Sequence, residues 1–112
     1  ADFVTIHTTL NKETKGLFNY GAISKMKKSA YLINTARGAI VDELGLEKAL
    51  KEQKIAGAAI DVFDVEPKTD SVLAKLDNVV LTPHTASFTR EAFIKMDMIS
   101  AQNIIRYFNS KK

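Results

Sequence analysis

Four short apolar runs in this sequence are each followed by side chains that can move protons or bind ions. The runs are residues 3–6, 30–33, 58–62 and 79–81. The polar residues at or just beyond their ends are His7, Thr8, Thr9, Asn34, Thr35, Arg37, Asp61, Asp64, Glu66, Thr82, His84 and Thr85. Ligands of open parallel sheets bind beyond the carboxyl ends of the strands. The repeated pattern therefore predicts one site that is built from four strand ends.

Three of these residues, Arg37, Glu66 and His84, form a set that suits one kind of reaction. A histidine beside a carboxylate keeps its proton more readily, because the negative charge favours imidazolium. A guanidinium group binds a carboxylate through two parallel hydrogen bonds. The set therefore suits proton transfer to or from the oxygen of a 2-keto or 2-hydroxy acid. Since it contains no source of hydride, a cofactor must carry the redox step.

Each candidate also has a structural interpretation, which the residue pattern leaves open. His84 follows a proline and precedes a long helical segment, so it could simply order the helix entry. Glu66 could be a solvated loop carboxylate. His7 is the weakest candidate, because a histidine at a strand end can be satisfied by its neighbours alone.

The charged residues Arg37 and Asp61 differ in how easily a structural role explains them. Arg37 could pair with Asp42 or Glu43 on the surface, an interaction of little energetic value. Asp61 is harder to explain in this way, because a carboxylate within an apolar run needs partners. Those partners are either backbone amides or a ligand, and the sequence does not choose between them.

The four apolar runs predict the buried strands of a parallel sheet. Each run is short, continuous and rich in β-branched residues, a pattern typical of strands that are covered on both faces. Helical patterns alternate with the runs, which predicts right-handed βαβ units and an α/β fold. The sequence shows no internal repeat and no domain boundary.

Three helices are predicted between and after the strands, and residues 64–77 are expected to form a loop with at most one helical turn. The predicted N-caps are Asn19, Asp42 and either Ser87 or Thr89. The predicted inward-facing residues are Ile23 and Met26 in the first helix, Leu46, Ala49 and Leu50 in the second, and Ile94, Met98, Ala101, Ile105 and Phe108 in the third. Gly45 within the second helix costs up to about 1 kcal/mol relative to alanine.

The composition argues against several classes of function. Without cysteine, neither a disulfide framework nor a thiolate metal site can form, and no metal site is predicted. The net charge is +3, and the lysines are dispersed, which does not favour nucleic-acid binding. No apolar run approaches the roughly 20 residues that span a bilayer, and no secretory signal is visible. We expect a reducing compartment, most simply the cytoplasm.

Several sequence blocks together resemble one enzyme family. The blocks are residues 2–7 (DFVTIH), 13–17 (ETKGL), 34–43 (NTARGAIVDE), 59–67 (AIDVFDVEP) and 81–86 (LTPHTA). Their order and spacing are similar to those of the D-isomer-specific 2-hydroxyacid dehydrogenases, and the resemblance covers essentially the whole chain. A match of three long motifs in register is far more specific than a lone glycine motif.

The resemblance implies a role for each candidate. It implies that Arg37 binds the substrate carboxylate, that His84 donates a proton to the carbonyl oxygen, and that Glu66 is the carboxylate partner of His84. The cofactor-binding residues that it implies are Thr8, Thr35, Ala36, Arg37, Asp61, His84 and Ala86, with Asp61 at the nicotinamide carboxamide. The implied reaction is reversible hydride transfer between NADH and a 2-keto acid. NAD is the family's usual cofactor, and NADP stays open, because the residue that selects between them is not among these 112.

Two departures from the family pattern are visible. Thr9 stands where the family usually has proline, and the family's Gly-x-Gly-x-x-Gly motif, which binds pyrophosphate at a helix N-terminus, does not occur in these residues. The resemblance therefore implies that residues 1–112 are the second half of a Rossmann-like NAD(P)-binding domain, without the glycine-loop half and without the substrate domain. We expect the chain to be inactive alone. We also expect it to form homo-oligomers through the bare edge of the strand at residues 3–6.

Two other functions compete with this interpretation. Relatives of the family act as NADH-sensing corepressors, and such a binding module keeps the same three residues, so Arg37, Glu66 and His84 do not distinguish it from an enzyme. A purely structural α/β domain is the third hypothesis. In that case the polar strand ends only satisfy the caps of neighbouring helices.

Overall fold

A four-stranded parallel sheet organises the chain. The computed structural model describes residues 1–111. The strands are β1 (Phe3–Ile6), β2 (Tyr31–Asn34), β3 (Gly57–Ile60) and β4 (Val79–Leu81), and they lie side by side in the order β1-β2-β3-β4. Every neighbouring pair is parallel. The predicted strands and the predicted α/β fold are confirmed, with boundaries that differ by one or two residues.

Three α-helices and two short 3-10 turns connect the strands. The helices are α1 (Tyr20–Ile23), α2 (Glu43–Lys51) and α3 (Arg90–Asn109), and the 3-10 turns are Gly38–Ile40 and Val72–Lys75. Two predicted N-caps are confirmed, since the side chain of Asn19 accepts from the amide of Ala22 and that of Thr89 from Ala92. The predicted loop between β3 and β4 contains only the second 3-10 turn.

The prediction that the Asp42 side chain caps α2 is wrong. Its carboxylate makes no capping hydrogen bond, although its backbone carbonyl accepts from the amide of Leu46. A Cβ atom on Gly45 would lie 2.6 Å from an Asp42 carboxylate oxygen and 2.8 Å from the amide nitrogen of Tyr20. Gly45 is therefore needed because α1 packs against this turn of α2, which explains the helix-weakening residue.

The hydrophobic core lies on one face of the sheet. The inward residues of α2 are buried as predicted, and they pack with the inward-facing side chains of the strands. The buried core cluster comprises Ile6, Ile23, Leu32, Ile40, Leu46, Ala49, Leu50, Ile55, Ala58, Ile60 and Leu73. Met26 is partly buried against it, just beyond the end of α1. Burial of such apolar side chains is the main stabilising contribution in a chain of this size.

The expectation that the strands are covered on both faces is wrong for residues 1–111. Side chains alternate between the two faces of a strand, and those opposite the core include Phe3, Tyr31 and Val80, which are 66%, 44% and 62% exposed. The strand order explains this. Each connection advances one strand in the same direction, so right-handed crossovers place all connecting segments on the same face.

Helix α3 extends away from the sheet. It forms as predicted, but within residues 1–111 it buries none of its side chains. The stripe that the sequence analysis expected to face inward is exposed instead, with Phe108 at 64% and Ile105 at 59%. This extension gives the described chain its elongated dimensions of 62 × 28 × 26 Å. None of the three α-helices combines the length and the apolar character that a bilayer crossing requires, in the part of the chain described.

The exposed apolar sheet face leads to a prediction about association. We expect the chain in isolation to associate as its concentration rises, because apolar patches of this kind and bare strand edges are templates for pairing. Light scattering coupled to size exclusion measures this. Phe3→Lys should shift the population toward monomer, whereas Leu44→Lys, at an equally exposed leucine on α2, should not. A wild-type chain that stays monomeric at high concentration would contradict the prediction.

Candidate active site

The carboxyl ends of all four strands lie at one edge of the sheet, as the parallel pairing requires. Residues 7–9 follow β1, residues 35–37 follow β2, residues 61–66 follow β3 and residues 82–86 follow β4. Every candidate from the sequence therefore lies on this edge. Hydrogen bonds and close backbone contacts then determine how these segments are arranged.

The side chains of His84 and Glu66 form a hydrogen-bonded pair. The Nδ1 atom of His84 lies 2.7 Å from Oε2 of Glu66, and the two side chains are 48% and 34% exposed. The other carboxylate oxygen, Oε1, accepts from the amide of Phe63 at 2.8 Å. The hydrogen bond from His84 and then that from Phe63 lower the pKa of Glu66 and outweigh the effect of burial. With Nδ1 engaged, Nε2 is the ring nitrogen that His84 presents to a ligand.

The backbone of His84 has a conformation that few residues adopt. Its φ angle is 57°, in the left-handed region of backbone conformations, which residues other than glycine rarely adopt. Such a conformation persists only where surrounding contacts determine it, and it is common at functional sites. One of those contacts is the amide of His84, which donates to the backbone oxygen of Asp61 at 2.8 Å.

Asp61 holds the segment that carries His84. Its Oδ1 atom accepts from the hydroxyl of Thr82 and from the amide of Thr85, the latter at 2.8 Å. Its Oδ2 atom accepts from the amide of Ala86 at 2.9 Å. Burial alone raises the pKa of Asp61, which is only 4% exposed, but these hydrogen bonds outweigh it and lower the pKa below its ordinary value. Of the two kinds of partner considered for this carboxylate, the structure contains the backbone amides.

A buried asparagine shapes the turn that presents Arg37. Asn34 is fully buried, its Nδ2 atom donates to the carbonyl of Arg37 at 3.0 Å, and its Oδ1 atom accepts from the amide of Ala36 at 3.0 Å. The guanidinium group donates to the carbonyl of Ala36 at 2.6 Å. Within residues 1–111 it forms no ion pair with an acidic residue, so the suggested pairing with Asp42 or Glu43 is wrong.

Two contacts connect the Arg37 turn to the His84–Glu66 pair. The first is backbone pairing, because the amide of Asp61 donates to the carbonyl of Asn34 at 3.0 Å. The second is close packing at Gly38, where a Cβ atom would lie 1.9 Å from the carbonyl carbon of Phe63. Only glycine permits this approach, and Phe63 is the residue whose amide binds Glu66. The position of the arginine is therefore coupled to that of the acid–base pair.

A cavity of about 600 Å³ lies beside the Arg37 turn. It is lined by His7, Thr8, Thr9, Leu10, Thr35, Ala36 and Arg37. His7 is also bonded within its own strand end, where its Nε2 atom lies 2.8 Å from the hydroxyl of Thr5. A second cavity of about 400 Å³ lies between α2 and residues 62–68. It is lined by the strand-end residues Asn34 and Asp64 but by none of the residues with an implied catalytic or cofactor-binding role.

The predicted site residues fall into two adjoining groups. Four of them, Thr8, Thr35, Ala36 and Arg37, line the first cavity, and the other four, Asp61, Glu66, His84 and Ala86, are joined by hydrogen bonds around β3 and β4.

The sequence placed Thr82 and Asn34 among the polar strand ends but indicated no role for either, and it gave no signal for the amide of Phe63. The register of β3 and β4 reveals the partner of Thr82. Ile60 pairs with Leu81, so the next residues along the two strands, Asp61 and Thr82, lie side by side.

Comparisons with known proteins agree on one family. The family model described as the D-isomer specific 2-hydroxyacid dehydrogenase, NAD binding domain, matches residues 1–86. A glyoxylate reductase of Thermofilum pendens is 56% identical over 106 residues, which are 94% of this chain and 31% of the relative. A D-3-phosphoglycerate dehydrogenase of Archaeoglobus fulgidus is 48% identical over 106 residues, 94% of this chain and 20% of the relative. The chain thus spans less than a third of the length of these two relatives.

Solved structures share the fold. An NAD-complexed D-isomer specific 2-hydroxyacid dehydrogenase of Lactobacillus delbrueckii superposes with a TM-score of 0.85 and 36% identity, over 97% of this chain and 38% of that one. An acyclic imino acid reductase in complex with NADPH and D-Arg gives a TM-score of 0.89 and 34% identity, over 98% of this chain and 35% of that one. Both proteins bind a nicotinamide cofactor and are similar to this chain over nearly its whole length.

The hydrogen bonds of Asp61 predict a pH-dependent contribution to stability. Asp61→Asn should lower the free energy of unfolding by about 1–3 kcal/mol at neutral pH, because an amide nitrogen would face a donor in place of a carboxylate oxygen. The pKa of Asp61 is lower in the folded chain than in the unfolded chain, where it is about 3.9. The stability that this difference adds is fully present above the unfolded pKa and is lost as the pH falls through the folded pKa. The difference between variant and wild type should therefore shrink in acid.

Urea unfolding of both proteins at neutral pH and at several acidic pH values measures this difference. Asp64→Asn is the matched control, because Asp64 is an exposed carboxylate three residues further along the same segment. A loss for Asp61→Asn that is constant with pH, or an equal loss for the control, would contradict the proposed role of the carboxylate.

Proposed function

The chain belongs to the D-isomer-specific 2-hydroxyacid dehydrogenase family, and we propose that it forms the nicotinamide side of an active site that reduces small 2-keto acids with NADH. The observation that carries this proposal is the His84–Glu66 pair at the strand-end edge, with Nε2 of the imidazole directed away from its carboxylate partner. On the segment that follows the neighbouring strand β2, the guanidinium group of Arg37 has no salt-bridge partner within residues 1–111. An acid–base group next to an anion-binding group is what a 2-keto acid requires.

Each residue of the set has a distinct task in this reaction. Arg37 binds the substrate carboxylate through two parallel hydrogen bonds and so places the carbonyl group. The Nε2 atom of protonated His84 donates its proton to the carbonyl oxygen in reduction, and the neutral imidazole accepts that proton back in oxidation. Glu66 accepts from Nδ1, which orients the ring and leaves Nε2 to face the substrate. A nicotinamide dinucleotide, when bound, would supply the hydride that the carbonyl carbon requires.

The residues of the chain fit a nicotinamide dinucleotide. A carboxylate has about four acceptor positions, and Asp61 uses three of them within the protein, so one is left for the amide group of a nicotinamide. The cavity beside Thr8, Thr35 and Ala36 offers backbone groups and hydroxyls next to Arg37. Structural neighbours were solved with NAD and with NADPH, so both dinucleotides are candidates and NAD is our proposal.

We further propose that residues 1–112 are the second half of a Rossmann-like domain in a longer enzyme. The exposed sheet face of Phe3, Tyr31 and Val80 and the unburied helix α3 support this, because both carry apolar surface that a further layer would cover. The pyrophosphate site and the opposing wall of the substrate cleft would then come from other residues. Homo-oligomerisation and a cytoplasmic location stay predictions.

Replacement of Arg37 tests the proposed substrate class. In the complete enzyme, Arg37→Lys should lower kcat/KM for 2-keto acids such as glyoxylate and pyruvate by about 100-fold, because an ammonium group does not reproduce the planar fork. Arg106→Lys, an exposed arginine on α3, should leave the rate unchanged. Steady-state oxidation of NADH measures both variants. A wild-type rate for Arg37→Lys would favour the structural hypothesis.

The isolated chain gives a second test. We expect no turnover of NADH and 2-keto acids by residues 1–112 alone, since the groups that bind pyrophosphate and close the cleft are proposed to lie elsewhere. Turnover by these residues would refute the proposed division. A complete protein that binds NADH but reduces none of a broad panel of 2-keto acids would favour the NADH-sensing binding module instead.

A further inference from the structure

We propose that Thr82 is a positioning residue of the acid–base pair: its hydroxyl, acting through Asp61, holds the His84 imidazole against Glu66. The inference rests on the proposed function insofar as His84 is the proton donor. It adds a residue that neither the motif analysis nor the comparisons assign. Thr82 itself touches neither His84 nor Glu66 through its side chain, so its effect must be transmitted.

Thr82 is positioned by the pairing of β3 with β4. Its amide donates to the carbonyl of Ile60 at 3.0 Å, which continues the β3–β4 pairing by one residue and brings Thr82 alongside Asp61. Its hydroxyl donates to Oδ1 of Asp61. Because Thr82 is β-branched, few side-chain rotamers are available to it, so the hydroxyl is held in one direction. Thr82 is exposed, and its replacement therefore opens no cavity in the core.

Asp61 determines the backbone path of the residues that follow Thr82, from 83 to 86. Its carboxylate binds the amides of Thr85 and Ala86, and its backbone carbonyl binds the amide of His84. These contacts keep His84 at its positive φ angle of 57°. Thr82 supplies the one side-chain donor to this carboxylate within residues 1–111. Without that donor, the carboxylate can rotate away from the arrangement that satisfies both amides.

The position of the His84 imidazole depends on this backbone path. Its one side-chain hydrogen-bond partner in the described part of the chain is Glu66, which lies on a different segment and is held there by the amide of Phe63. The 2.7 Å contact between Nδ1 and Oε2 therefore requires both segments to be in place. Nearly half of the imidazole side chain is exposed, so packing alone does not hold the ring.

The pKa of Glu66 reports this arrangement without any need for catalysis. The hydrogen bond from His84 is the largest cause that lowers it, so a displaced imidazole should let it rise toward the ordinary value. A hydroxyl that only stabilises the fold locally would leave the pKa of Glu66 unchanged. The measurement therefore separates positioning from a merely structural role.

The first experiment is an NMR titration of the Glu66 side-chain carboxyl in this chain. Thr82→Val, which keeps the shape and removes the hydroxyl, should raise the pKa of Glu66, and Thr82→Ser, which restores the hydroxyl, should return it to the wild-type value. Thr69→Val, at an exposed threonine in the preceding loop, is the matched control and should have no effect. If Thr82→Val does not fold, Thr82→Ala removes the same hydroxyl.

Two results would overturn the proposal. One is a wild-type Glu66 titration in Thr82→Val, which would mean that the hydroxyl does not position the imidazole. The other is an equal shift in Thr82→Val and Thr82→Ser, which would mean that loss of the hydroxyl is not the cause, because serine keeps it.

The second experiment measures kinetics in the complete enzyme. Thr82→Val should lower kcat by about tenfold, because general acid catalysis depends on the placement of the donor. The KM for the 2-keto acid should stay within about twofold, since the Arg37 turn is held by Asn34 instead. Thr82→Ser should restore kcat, and an unchanged kcat in Thr82→Val would count against the proposal. A wild-type enzyme without reductase activity would contradict the proposed function, whereas the Glu66 titration would still decide the role of Thr82.

Discussion

A buried carboxylate imposes the constraint on which the rest of the site depends. Asp61 is 4% exposed, and a charge in that environment is tolerated only when its oxygens accept several hydrogen bonds. The donors come from the neighbouring strand end, at Thr82, Thr85 and Ala86. Because two of them are backbone amides, the chain must turn tightly around the carboxylate. The unusual backbone of His84, and with it the position of the imidazole, follows from that turn.

The hydrogen bonds of the site also explain why one cation stays available. Three carboxylates near the site have other partners: Asp61 binds the 82–86 segment, Glu66 binds His84, and Glu43 accepts from the hydroxyl of Ser71. The turn of Arg37 is held by a neutral amide, that of Asn34, and not by an acid. Among residues 1–111 no salt bridge neutralises the guanidinium group, so an anionic ligand can bind it. The proposed role of Arg37 depends as much on these partnerships as on its own position.

The sequence predicted what depends on local pattern, and it missed what depends on long-range register. The strand positions and the edge at which His84 and Glu66 meet follow from short apolar runs and from the geometry of parallel sheets. Asp42 is at the N-cap position of α2 without a side-chain capping hydrogen bond, and the packing of α1 against Gly45 joins segments more than twenty residues apart, which a local pattern does not show. The role of Thr82 was missed because its partner becomes visible only when β3 and β4 are aligned. Predicting that one face of the sheet is uncovered requires the order of the strands, and no single apolar run contains that information.

The open character of the edge relates the fold to the proposed chemistry. His84 and Glu66 are 48% and 34% exposed, so water screens the charges that would act on a substrate. Proton transfer to a carbonyl oxygen is more effective where water is excluded, and exclusion requires a second wall. Helix α3 begins shortly after His84 and buries none of its side chains within residues 1–111. The short segment of residues 85–89 therefore joins the acid–base pair to an exposed apolar helix, so the open edge of the site and the exposed helix lie next to each other in the chain.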